Sequence, residues 1–85
     1  MTQGELAILY NRFMQLSNQE QSLLYQFTDV VCSFALGKGR QEDAQHAIIT
    51  LETIDPDNLS YLALLSMRRL NVSYSEAMYI QAAII

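Results

Sequence analysis

At 85 residues the chain makes one small domain, and a net charge of −4 with a pI near 4.6 leaves it without the clustered Lys and Arg that displace counterions from nucleic acid. It is 51% hydrophobic and only 16% charged, below the usual quarter, so the composition predicts either a large core or, as the favoured reading, apolar surface covered by another molecule. The single Cys32 excludes an internal disulfide and suits a reducing compartment. The start, MTQGELAILY, lacks a basic region leading into an apolar stretch and cleavage site, and no run approaches a membrane span, so a cytoplasmic protein is expected.

In chain order, Leu6, Leu9, Tyr10, Phe13 and Leu16 recur at helical spacing and predict an amphipathic helix of about four turns ending near Leu16. Ser17 with Glu20 makes a capping box, so a new helix starts there. Leu23, Leu24, Phe27, Val30, Val31 and Phe34 follow, too many apolar positions for one stripe, and this second helix is expected to be the central one. Gly37-Lys38-Gly39 ends it with a left-handed turn. The third helix turns Ala44, Ala47, Ile48 and Leu51 inward and Arg40, Gln41, Glu42, Asp43 and Gln45 toward water.

The fourth helix is expected to open on Asp55 as N-cap and Pro56 as first residue. It carries Leu59, Leu62, Ala63, Leu65 and Leu70, with Leu64 and Met67 on an additional face. Asn71 suits a C-cap, and Ser73 with Glu76 predicts a second capping box for a last helix bearing Ala77, Met78, Ile80, Ala83 and Ile84. No stretch alternates as a strand does. The class is therefore all-α, with about five antiparallel helices.

Cys32, Ala44 and Pro56 fall at equal intervals, with Ile48 between the last two, which is the ladder of a tetratricopeptide unit: small residue, Ala, bulky apolar, Pro. Small side chains at Cys32 and Ala44 let two helices cross closely. On this period the chain divides into a half repeat (2–16), a repeat (18–54) and a second repeat (56–85), although Thr28 and Ala35 stand where the pattern has Trp and Tyr. An array this short leaves apolar faces to be covered, and an amphipathic partner helix in a concave groove is the economical solution. Phe27, Val30, Phe34 and Leu36 of the second helix, Ala63, Leu64, Met67 and Leu70 of the fourth, and Met78 are the expected groove residues, with Met as the adaptable side chain such grooves favour.

From about Gln41 to Met78 the chain also resembles a known family. Glu42-Asp43-Ala44 followed by Ala47, Asp57-Asn58-Leu59, Tyr61-Leu62-Ala63-Leu64, and Arg69-Leu70 before a short helix are similar to the tetratricopeptide-like chaperones of type III secretion needle subunits. The resemblance covers about half the chain. It implies a cytosolic chaperone that holds the needle protein soluble, with the subunit's carboxy-terminal amphipathic helix in the groove. It also implies a second small helical co-chaperone, for which Leu6, Leu9, Tyr10 and Phe13 are the expected contacts.

Catalytic and metal readings find little support in the residues. His46 sits alone on a helix, and Cys32 is placed for burial, where a thiol is inert. GKGR at 37–40 lacks the phosphate-loop pattern and its preceding strand. Asp55, Asp57 and Asn58 start like a calcium loop, but Ser60 and Ser66 stand where Gly and Glu are needed. The expectation is a non-enzyme with no cofactor and no metal. Two alternatives differ in kind: a helix-turn-helix DNA-binding regulator using residues 57–85, whose reading helix from Tyr74 to Tyr79 has no Arg or Lys, and a self-associating helical structural protein.

Overall fold

The computed structural model describes all 85 residues. Each apolar-periodic stretch folds as a helix: α1 (Gln3–Met14), α2 (Asn18–Ala35), α3 (Gln41–Ile54), α4 (Asn58–Leu70) and α5 (Tyr74–Ile84). No strand is present.

The helix boundaries follow side-chain capping. At α2 the Ser17 hydroxyl accepts from the Glu20 N–H at 3.1 Å, and the Glu20 carboxylate accepts from the Ser17 N–H at 3.3 Å. Thr2 and Glu5 make the same reciprocal pair at α1. Only half of the expected box forms at α5, where Ser73 accepts from the Glu76 N–H and the carboxylate does not reach back. Gly37 adopts φ 83°, and the Lys38 N–H bonds the Ser33 carbonyl at 2.8 Å, closing α2 with a left-handed turn. Asn71 closes α4 in the same conformation, at φ 56°.

Helix α1 ends at Met14 with Gln15 as C-cap, near Leu16 as expected, and the Gln21 amide donates to the Met14 and Leu16 carbonyls at 3.2 and 3.0 Å. One boundary differs from expectation. Helix α4 begins at Asn58, not at Pro56. The Asp55 carboxylate accepts from the Asp57 N–H at 2.9 Å, so Asp55 and Pro56 build a turn ahead of the helix.

Packing places α4, not α2, at the centre. It is the one helix packed against all four others. Six consecutive residues, Tyr61–Ser66, are buried, which requires cover on every side of a helix. Its fully buried Leu62 and Leu64 each contribute about 1.5–3 kcal/mol by leaving water. Helices α2 with α3 and α4 with α5 pack as pairs, and α2 lies beside α4. Helix α1 departs from the half-repeat expectation, because its main neighbour is α4 rather than the adjacent α2.

Gln41 and Gln45 do not simply face water. Their amides both donate to the Ile84 carbonyl, at 3.2 and 2.9 Å, tying the start of α3 to the end of α5. Cys32 and Ala44 are both buried, as a close crossing requires. The thiol's polar neighbour is nevertheless Ser66 of α4.

Candidate helix-binding face

Asp57, Tyr61, Leu64 and Arg68 recur at i, i+4, i+7 and i+11, which places them in one stripe along α4. On α1 the stripe Leu6, Leu9, Tyr10 and Phe13 has the matching spacing. The two stripes meet. The Phe13 ring is fully buried, with its centroid 6.0 Å from that of Tyr61 and 5.6 Å from that of Tyr25, the latter edge-on at 85°. Such aromatic pairs add about 0.5–1.5 kcal/mol to the burial itself.

Polar contacts fix the direction of the pair. The Arg12 guanidinium donates to the Asp57 carboxylate at 3.3 Å, and the Arg68 guanidinium lies 4.4 Å over the Tyr10 ring. Rising numbers on α1 thus meet falling numbers on α4, and the helices run antiparallel. Toward the amino-terminal half of α1 the seam opens into a cleft of about 360 Å³, lined by Gln3, Leu6, Ala7, Tyr10, Leu64, Met67 and Arg68.

The sequence-expected groove does not form as one surface. Ala63 and Leu64 are buried, Ala63 completely, so they are core rather than open lining. Val30 and Ser33 border a mostly polar depression with Asp29, Gly39, Arg40 and Asp43. Phe27 and Phe34 are half-buried against the core, Leu70 is half-buried, and Leu36 is 62% exposed at the end of α2. Met78 lines a separate cleft of about 200 Å³ with Ile48, Leu59, Gln81 and Ile85. Of the expected set, Leu64 and Met67 line one cleft together, beside α1, while Phe27, Val30 and Phe34 pack on the core that contains Leu64.

The expected co-chaperone contacts are likewise turned inward. Leu9 and Phe13 are buried in the main core, and Leu6 and Tyr10 are half-buried against it. The physical reason is that the additional apolar face of α4 is covered by the chain's own first helix. Sequence reading missed Asp57, Tyr61 and Arg68 as members of that face; their i, i+4, i+11 spacing with Leu64 was the available signal.

Burial pushes the Cys32 thiol above its ordinary value, with the Ser66 hydroxyl and Arg69 acting the other way, so the thiol stays protonated and unreactive. The contact falls short of hydrogen-bond geometry, and Ser66 Oγ is left without a partner. His46 is exposed, with Nε2 3.5 Å from the Thr50 hydroxyl. No group of three or more His, Cys, Asp or Glu is placed to hold a metal. Arg69 pairs with Asp29 of α2. No helix is long and apolar enough to cross a membrane.

The stacked pairs and the covered α4 face define an all-α, five-helix protein. No family model, curated protein or solved structure matches the chain.

Proposed function

We propose that this chain is a non-catalytic chaperone that keeps the needle-forming subunit of a type III secretion system soluble by holding an amphipathic helix, together with a small helical co-chaperone. The observation that carries this reading is α4, a helix buried on every side whose Asp57–Arg68 stripe receives an amphipathic helix. A surface that seats one such helix has the shape and polarity to seat another. The resemblance between Gln41 and Met78 supplies the kind of client. The adjacent Arg68 and Arg69, the only basic pair a DNA-reading segment could use, are engaged with Tyr10 and Asp29, which favours the chaperone over the regulator.

Co-expression tests the reading. A tagged chain should retain a needle subunit and its co-chaperone through purification and prevent the subunit from polymerising, and His46→Ala should leave this intact. A needle subunit that polymerises equally with and without the chain would refute it.

A further inference from the structure

Helix α1 sits on a site rather than within the stacked pairs. It packs chiefly on α4, and its polar ties are weak ones. Arg12 and Asp57 are 55% and 63% exposed, and a pair so solvated contributes little. Beside its amino-terminal half an open cleft of about 360 Å³, lined by Leu6, Leu64, Met67 and the stacked Tyr10–Arg68 pair among others, is left unfilled by α1. Fit is close at the Phe13 end and incomplete at the other.

The geometry points to α1 as the resident occupant of a helix-binding site, displaced when a partner's amphipathic helix takes its place on α4. The occupant it replaces describes the one that enters. The partner helix runs antiparallel to α4 and carries apolar residues at i, i+3, i+4 and i+7. The last of these is aromatic, to meet Tyr61, and a basic residue just before it meets Asp57. Larger apolar side chains over the cleft give it contacts that α1 lacks. Because α1 is tethered, it competes at an effective concentration on the order of millimolar, so the incoming helix needs that surplus. The identity of the partner rests on the chaperone reading; the site itself does not.

The test uses the full-length chain carrying Leu6→Cys and Met67→Cys, joined by a short bis-maleimide, with the buried Cys32 left unmodified. One probe is a labelled synthetic peptide of residues 2–16, read by fluorescence anisotropy; the other is a needle subunit. The peptide should bind the uncrosslinked chain and bind the crosslinked chain at least about ten-fold more weakly. A loosened variant, Tyr10→Ala with Arg12→Ala, should bind it several-fold more tightly, the opposite of what lost structure would do. Equal peptide binding to both forms, or binding to neither with no gain in the loosened variant, overturns the proposal. If the peptide behaves as expected but the needle subunit binds neither form, the site stands and the chaperone reading falls. A needle subunit that binds both forms equally overturns the displacement and leaves the chaperone reading in place.

Discussion

Phe13 is the residue on which the α1 seat depends, since its ring is fully buried between Tyr25 and Tyr61. Phe13→Ala should cost about 3–5 kcal/mol in urea titration, by lost transfer and the cavity left behind. Ile8→Ala, on the 63% exposed outer face of the same helix, should change stability by less than about 0.5 kcal/mol. Equal effects would place α1 elsewhere. A second pair tests the α2–α3 crossing. Ala44 is fully buried, so Ala44→Leu should overpack the site at about 1–3 kcal/mol, whereas exposed His46→Leu should be near neutral. Gln45, one position from Ala44, is not a suitable control, because its amide holds the Ile84 carbonyl.

At the scale of the helix, the start of α1 responds to acid. Glu5 is held below its ordinary value by the Thr2 backbone N–H and then the Thr2 hydroxyl. A carboxylate with a lowered folded pKa stabilises the fold fully above its unfolded value of about 4.3 and ceases to as pH falls through the folded value. Amide exchange in the first turn of α1 should therefore speed up below about pH 4 relative to the core of α4, once intrinsic rates are divided out. Glu5→Gln should remove most of that difference. An unchanged ratio down to pH 3 would show that the box contributes nothing. Element identities were legible because they rest on local rules: Ser17 with Glu20, Gly37 and Asn71 each satisfy a helix end by their own chemistry. The role of α1 was not legible, because its stripe of Leu6, Leu9, Tyr10 and Phe13 states only that one face is covered. Covering by α2, by α4 or by a partner gives the same periodicity. The missed signal was the run Tyr61-Leu62-Ala63-Leu64-Leu65, since five consecutive apolar residues on a helix point to every side of it, and the structure buries all five.

The molecule as a whole answers the composition's question in two ways. A Cα radius of gyration of 11.9 Å is that of a folded domain this size, near 12 Å by the usual scaling, and much of the apolar excess is taken up by the α1–α4 seam. The rest stays outside: Ile8, Leu36, Ile54, Tyr79 and Ile85 are each 60% exposed or more. They are spread over the molecule: Ile8 lies on the outer face of α1, Leu36 and Ile54 at the ends of α2 and α3, and Tyr79 and Ile85 in the middle and at the end of α5. The arrangement turns on α1 lying along α4 instead of stacking on α2 as half of a preceding repeat. Side-chain proximities by nuclear Overhauser spectroscopy on the full-length protein measure this directly. Cross-peaks between the Phe13 and Tyr61 rings and between Tyr10 and Arg68 are the predicted result. Leu6, Leu9 and Phe13 showing cross-peaks to α2 alone, with none to Tyr61 or Leu64, would contradict it.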